Sequence, residues 1–320
     1  MDIKVILFAI GVSFLLALLL GPLVIPVLRR LKFGQEVRSD GPQSHLKKKG
    51  TPTMGGVIIM LALLVSFVKF ADKGPSFWVL LTASLGYGLV GFLDDYIKIA
   101  FRRSLGLTAW QKLSGQLLFS AIVCVLLYRM GHSTEIAVPG SSWGIELGWL
   151  YYLFVVLMML AVSNAVNFTD GVDGLLSGTS AIAFGAYTLI ALQASDHVSA
   201  VFSAAMIGAV LGFLVFNAHP AKVFMGDMGS LGIGGGFAAV AILTKTELLL
   251  IVIGGVFVVE MLSVILQVGS FKLRGKRIFR MSPIHHHFEL SGWSEWRVVT
   301  SFWLAGLVLA GVGLAVQHAW

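Results

Sequence analysis

Apolar runs long enough to cross a bilayer recur along the whole of this 320-residue chain, and they constrain its fold more than any other feature. A helix of about 20 residues crosses the roughly 30 Å of hydrocarbon in a membrane. Only 12% of the residues are charged, whereas a soluble domain has about 25%. We therefore expect an all-α polytopic membrane protein in which residues 1–320 form a single integral-membrane domain.

The apolar pattern predicts ten transmembrane helices. The first run is too long for the apolar region of a signal peptide, and its basic cluster follows it rather than precedes it, so we expect it to remain as a span. The predicted helices cover residues 3–28, 53–70, 76–94, 112–128, 148–166, 175–193, 199–216, 229–244, 248–268 and 298–317.

The basic residues predict the orientation of these helices. On one side of the membrane lie 18 of the 23 Lys and Arg residues, and positive charge favours the cytoplasmic side. Both termini are then periplasmic. A net charge of +7 does not indicate nucleic acid here, because the basic residues lie in short loops between spans. The segment 129–147 on the opposite side is consistent with a short surface hairpin.

The first group of polar residues is Asp94, Asp95 and Lys98, where two acids close a predicted span. A solvated helix end with an ion pair between Lys98 and Asp94 would explain the pattern. A Mg2+ site would explain it equally, because Mg2+ takes hard oxygen ligands and often uses one or two carboxylates together with substrate phosphates.

The second group has a polar residue at every third position, followed by two Asp-Gly pairs that interrupt the helix. Helical spacing places the first three side chains in one stripe. They would either bond neighbouring helices or bind a polar ligand, which the glycines would let the backbone approach closely. The polar residues are Asn164, Asn167, Asp170 and Asp173.

Three loops on the predicted cytoplasmic side complete the candidates. Between Asn217 and Ser230, Asp227 either caps the next helix or adds a third carboxylate to the cation site, and Phe224 is either interface packing or a stacking platform for a base. Lys48 lies in a basic, glycine-containing loop that would either bind an anion or serve only as a positively charged anchor on the cytoplasmic side.

The last of these loops carries three consecutive histidines, His285, His286 and His287. Neighbouring side chains of an extended chain point in opposite directions, so a zinc site is disfavoured. Imidazoles beside basic residues suit a phosphate better, although the basic residues would serve equally as topology determinants.

Together these segments resemble the polyprenyl-phosphate N-acetylhexosamine-1-phosphate transferase superfamily over nearly the whole chain. The shared motifs are Asp-Asp-x-x-Lys at 94–98, Asn-x-x-Asn-x-x-Asp-Gly-x-Asp-Gly-Leu at 164–175 and Phe-Met-Gly-Asp at 224–227. Two further motifs are similar to its phospho-N-acetylmuramoyl-pentapeptide transferase branch: Pro-Thr-Met-Gly-Gly at 52–56 and Ser-Pro-Ile-His-His-His-Phe-Glu at 282–289.

The resemblance implies an enzyme of the bacterial inner membrane with its active site at the cytoplasmic face. It would use Mg2+ to transfer phospho-MurNAc-pentapeptide from UDP-MurNAc-pentapeptide to undecaprenyl phosphate, giving lipid I and UMP for peptidoglycan synthesis. A homodimer within the lipid bilayer is also implied.

The resemblance further implies roles for individual residues. The expected metal ligands, which also take part in catalysis, are Asp94, Asp95 and Asp227. Phosphate binding or transition-state stabilisation is expected of Lys48, Lys98, His285 and His286. Substrate binding is expected of Thr53, Asn164, Asn167, Asp170, Asp173, Asn217, Phe224 and His287.

Two other functions compete with this one. A transferase acting on UDP-N-acetylglucosamine would share the superfamily motifs but not the histidine loop. An ion-coupled transporter would need acids near the membrane midplane, where only Glu260 is found, either as a paired structural residue or as part of a lipid groove. Direct attack by the lipid phosphate and a covalent aspartyl intermediate would use the same residues.

Overall fold

The computed structural model describes residues 3–31, 50–101, 105–141 and 143–318. Its elements in chain order are α1 (Ile3–Arg30), α2 (Gly56–Phe70), α3 (Pro75–Ala100), α4 (Ala109–Arg129), β1 (Glu135–Ala137), β2 (Gly144–Glu146), α5 (Leu150–Thr169), α6 (Leu175–Gln193), α7 (His197–Asn217), α8 (Gly226–Leu243), α9 (Leu250–Ile253), α10 (Gly255–Arg274), α11 (Ile284–Glu289) and α12 (Glu295–His318).

Nine helices among the described residues are long and apolar enough to cross a membrane. Helix α2 is apolar but has only 15 residues. At 1.5 Å of rise per residue it is about 22 Å long, short of the roughly 30 Å hydrocarbon layer. The mostly helical, multi-pass architecture agrees with the prediction, and nine of the ten predicted spans correspond to long helices.

Helix α8 lies at the centre of the bundle and packs mainly against α3 and α5. Its sequence is rich in glycine and alanine, so neighbouring backbones approach it closely. A Cβ on Gly235 would lie 2.4 Å from the carbonyl oxygen of Ala83 on α3. The outer helices α1, α4 and α10 instead leave most of their apolar surface uncovered, as expected of helices that face lipid.

Three predicted features of the helices are wrong. Helix α3 continues six residues beyond Asp94, so the paired acids lie within the helix rather than at its end. The run predicted at 248–268 is broken at Gly254 into α9 and α10, and α10 extends to Arg274. The histidines form the short helix α11, where the loop was expected to be extended.

The hairpin prediction for residues 129–147 is confirmed. Strands β1 and β2 pair antiparallel, with Ile136 opposite Ile145. The hairpin lies between the end of α4 and the start of α5. This is the opposite end of both helices from the polar groups predicted to carry the chemistry.

Candidate active site

Three carboxylates from two helices meet at one end of the bundle. Asp94 and Asp95 lie on the last two turns of α3, and Asp227 lies in the first turn of α8. One carboxylate oxygen from each residue lies within 4.8 Å of the others. The structure therefore brings together the three acids that the sequence predicts as metal ligands.

Close backbone packing produces this convergence. A Cβ on Gly91 of α3 would lie 2.1 Å from the carbonyl oxygen of Asp227, so the two helices touch where the acids stand. Helix α8 begins at Gly226, whose φ of +76° favours glycine. A side chain at Gly226 would also collide with a carboxylate oxygen of Asp95, 2.5 Å away.

Two lysines neutralise the carboxylates. Lys98 Nζ lies 2.5 Å from Asp94 Oδ2, 3.4 Å from Asp95 Oδ1 and 3.2 Å from Asp227 Oδ2. Lys112 Nζ, on the first turn of α4, donates to Asp227 Oδ2 at 2.9 Å. Sequence reasoning missed Lys112 because it belongs to none of the motifs and was counted only among the basic residues that set the orientation.

Backbone and amide groups fix the acids in place. The Leu107 N–H donates to Asp94 Oδ1 at 2.8 Å, and the Met228 N–H donates to Asp95 Oδ2 at 3.2 Å. Asn167 Nδ2 donates to Asp227 Oδ1 at 2.9 Å. Each carboxylate thus has a defined orientation, as a metal or phosphate centre requires.

Asp170 lies beside this centre, just beyond the end of α5. Burial and the negative charges of Asp227 and Asp95 raise the pKa of Asp170 to about 8. A backbone hydrogen bond from the Gly226 N–H opposes this rise. The site therefore gathers more negative charge than its own lysines neutralise, which favours a cationic ligand.

A backbone ladder brings the segment that follows the first loop to the same place. The Phe224 N–H donates to the Pro52 carbonyl, and the Gly55 N–H donates to the Phe224 carbonyl, both at 2.8 Å. The Thr53 hydroxyl oxygen lies 3.0 Å from where a Cβ of Gly226 would stand. Thr53 and Phe224 thus lie on segments that adjoin the carboxylates, and their role in substrate binding stays a prediction. Lys48, the other predicted residue of this loop, lies outside the described residues.

A second polar cluster lies on the far side of the Asp-Gly turn. His219 Nδ1 is 3.0 Å from Asp173 Oδ2 and 3.2 Å from Glu295 Oε2. The Ala221 N–H donates to the same oxygen of Asp173. Sequence reasoning included Asp173 but missed His219 and Glu295, since the cluster joins three segments that are distant in the chain.

Two predicted substrate-binding residues bond the protein itself in this structure. Asn164 Nδ2 donates to Gln116 Oε1 of α4 at 3.2 Å, so the predicted stripe divides between Asn164 and Asn167. Asn217 is buried, accepts hydrogen bonds from the Gly174 N–H and the Ser177 hydroxyl, and donates to the Val223 carbonyl. It holds together the two loops that carry Asp173 and Phe224.

The three histidines point to different surroundings because they occupy successive positions of a helix. His285 is fully buried, with Nδ1 3.1 Å from Glu260 Oε1. His286 Nδ1 pairs with Glu289 Oε2 at 2.7 Å, and the Arg280 N–H donates to His287 Nδ1. Of the three, His285 reaches the Asp-Gly turn, where it packs against Gly171.

The chemistry of the donor set fits a hard divalent cation. Asp94, Asp95 and Asp227 offer only carboxylate oxygens, held close together and partly buried. Sulfur or imidazole ligands, which would favour zinc or copper, do not lie among these three residues. Mg2+ is usually bound through one or two carboxylates together with substrate phosphates.

The chain is similar to known proteins over the segments that form this site. The glycosyl transferase family 4 profile matches residues 77–245, which include α3, α5 and α8. The phospho-N-acetylmuramoyl-pentapeptide-transferase signature 1 matches residues 48–60. Curated phospho-N-acetylmuramoyl-pentapeptide-transferases of Bacillus pumilus and Bacillus subtilis are 58% and 57% identical over 318 residues, or 98% of each chain. That of Oceanobacillus iheyensis is 57% identical over 323 residues, or 99% of each chain.

Fold and site define a multi-pass membrane enzyme of the transferase class, with an acidic centre at one end of its helix bundle. Within that class, the chain belongs to the phospho-N-acetylmuramoyl-pentapeptide-transferase family. The resemblance that the motifs indicated is confirmed over nearly the full length of the chain.

Proposed function

We propose that this enzyme transfers phospho-MurNAc-pentapeptide from UDP-MurNAc-pentapeptide to undecaprenyl phosphate. An oxygen of the lipid phosphate forms a bond to the phosphorus that carries the sugar, and the bond from that phosphorus to UMP breaks. The products are lipid I and UMP. The identity of 57% to 58% with relatives that bear this activity in their names supports the assignment.

The proposed mechanism rests on the convergence of three carboxylates, those of Asp94, Asp95 and Asp227. Two phosphate groups repel each other as they approach, so their reaction depends on positive charge in fixed positions. These carboxylates would hold Mg2+, which when bound would supply that positive charge. The centre lies at one end of the bundle, so a soluble nucleotide can reach it while a prenyl chain stays among the helices.

In this proposal, other residues of the protein neutralise charge, orient a metal ligand and bind the nucleotide. Lys98 and Lys112 neutralise charge that develops on the phosphates, since both ammonium groups already lie within 3.2 Å of Asp227. Asn167 fixes the orientation of the Asp227 carboxylate. Asp170 and Phe224 flank the same centre on the side where we place the uridine nucleotide.

We also propose the finer topology. The tenth span is α2, with both termini periplasmic and the carboxylate centre at the cytoplasmic face of the bacterial inner membrane. The excess of Lys and Arg on the site side supports this orientation. Residues 1–320 form one domain, and a homodimer in the bilayer remains a prediction.

Release of UMP by purified protein in detergent tests the reaction. We expect UMP only when UDP-MurNAc-pentapeptide, undecaprenyl phosphate and Mg2+ are all present. Asp227→Asn should lower the rate by about a thousandfold, because it removes one charged metal ligand. Lys69→Met, an exposed change in the last turn of α2, is the matched control and should leave the rate unchanged.

The outcomes separate the competing functions. UMP release from UDP-N-acetylglucosamine but not from the muramoyl substrate would place the enzyme in another branch of the superfamily. If folded protein turns over neither sugar nucleotide, the transferase proposal is contradicted and the transporter hypothesis is favoured.

Single-cysteine labelling tests the orientation. In a Cys124→Ala background, Ser141→Cys in the hairpin should react with an impermeant maleimide in intact cells. Ser291→Cys, beside α11, should react only after the membrane is opened. The reverse pattern would contradict the proposed orientation.

A further inference from the structure

Glu260 forms a buried pair with His285, and Glu260 itself has no assigned role in the reaction. Both side chains are 0% exposed, and Nδ1 of the histidine lies 3.1 Å from Oε1 of the glutamate. Among the described residues, neither carboxylate oxygen and neither ring nitrogen has a well-aligned hydrogen bond. Each group is therefore paired with the other at a fully buried position.

Stability alone does not explain such a pair. Removing two ionisable groups from water is costly, and well-packed apolar replacements of buried ion pairs are often as stable or more so. A pair of this kind is better explained by the geometry that it fixes.

The other face of His285 lies against the Asp-Gly turn. A Cβ on Gly171 would stand 2.2 Å from Nε2 of His285, so the ring rests directly on the turn's backbone. Asp170 and Asp173 flank that contact in the chain. A change in the angle of the imidazole ring would thus move the turn that carries both acids.

Helix α10 holds the whole histidine segment through one polar face. Glu260, Ser263 and Gln267 are its buried polar residues, and their spacing places them along one side of the helix. Gln267 Oε1 accepts from the backbone N–H groups of Ile278 and Phe279 at 2.9 Å. The loop before α11 is therefore tied to the same helix face that carries Glu260.

We infer that Glu260 is a positioning residue: it holds the Nδ1 proton of His285, which leaves Nε2 facing the turn at 170–174 and keeps that turn in place for the nucleotide. A carboxylate that accepts from one ring nitrogen fixes the tautomer and orientation of a histidine. The inference rests on the proposed function for its substrate, but the pair itself can be tested without turnover.

Kinetics of Glu260→Gln test the inference. We expect KM for UDP-MurNAc-pentapeptide to rise about tenfold, as when the carboxylate partner of a functional histidine is removed. KM for undecaprenyl phosphate should change less than twofold. Ser263→Ala is the matched control, because its hydroxyl bonds only the Glu260 carbonyl among the described contacts. An equal rise in both KM values would contradict the inference, since it would indicate general loosening of the bundle.

A double-mutant cycle adds a second criterion. If Glu260 acts only through His285, the Glu260→Gln/His285→Gln protein should be no worse than His285→Gln alone. Effects that multiply would show that Glu260 acts by another route and would overturn the inference.

Nitrogen-15 NMR of the wild-type protein measures the tautomer of His285 directly, and it tests the inference even if Glu260→Gln does not fold. The His285 signals are assigned by their loss in His285→Gln, and we expect a proton on Nδ1. A neutral ring protonated only on Nε2 would overturn the inference. Absence of UMP release by wild type would instead contradict the proposed function and leave the tautomer result intact.

Discussion

Replacement of Lys112 by methionine tests how this centre handles charge. Lys112 reaches Asp227 from α4, whereas Lys98 shares its ammonium group among three carboxylates. Methionine retains most of the apolar stem of lysine but lacks the charge. The variant therefore removes one cation from the site while it keeps the packing of α4 against α3 and α5 close to that of the wild type.

The distance between the two groups sets the expected magnitude. Unit charges separated by 2.9 Å attract by about 6 kcal/mol at an effective dielectric of about 20. Both side chains are about one-fifth exposed, so water screens part of that attraction, and Lys98 still neutralises Asp227. In the proposed transition state the same ammonium group would face phosphate oxygens at a similar distance. Loss of about half of such an attraction, about 3 kcal/mol, corresponds to roughly a hundredfold drop in kcat/KM.

Steady-state UMP release at saturating Mg2+ measures this drop. Lys112→Arg should recover part of the rate, because it restores the charge at a similar reach. Lys69→Met again serves as the control for a lysine lost at the other end of the bundle. A Lys112→Met rate within threefold of wild type, in a protein with unchanged thermal unfolding, would refute the view that Lys112 neutralises the reacting phosphates.

Two further predictions concern a glycine and a histidine. Gly226→Ala should lower both UMP release and the unfolding temperature, because its φ of +76° disfavours a side chain and its Cβ would stand 2.5 Å from Asp95 Oδ2. Gly131→Ala is the control for backbone strain alone, since Gly131 has a φ of +67° and nothing lies within 4 Å of its Cβ position. This control should leave activity unchanged. Burial, aided by the charge of Lys245, lowers the pKa of His132 to about 4, so the folded protein binds fewer protons than the unfolded chain below about pH 6.5. Stability should therefore fall as pH drops from 6.5 to 4, and unfolding curves of His132→Gln in detergent should fall less steeply; parallel curves would contradict this account.

The sequence predicted helices best where a turn signal and an apolar run coincide. Helix α6 has the predicted limits of 175 and 193, because Gly174 adopts a left-handed conformation just before it and apolar residues fill the span. The end of α3 was predicted wrongly, because charge at Asp94 and Asp95 suggested an exit from the membrane. In the structure Leu107 and Met228 satisfy those acids from other segments, so the helix continues.

The candidate site was predictable to the extent that its residues lie in compact motifs. Asp94, Asp95 and Asp227 were placed together from the common side of their helix ends, and they do meet in the structure. Lys112 and His219 could not be found in this way, because their side chains reach the site only through the packing of whole helices and loops. Asn164 was predicted to belong to the site but does not lie in it. Its helical register matches that of Asn167, yet its side-chain amide donates to Gln116.

The enclosure of α8 has a mechanical consequence. Asp227 stands at the first turn of the helix that the bundle surrounds most completely, and the glycines of α8 leave almost no free volume around it. Such a helix cannot slide or tilt without displacing α3 and α5 as well. Asp227 is thus held on a tightly packed helix. We expect any adaptation to the size of a bound peptide to occur in the loops around the site, chiefly in the segment between α10 and α12.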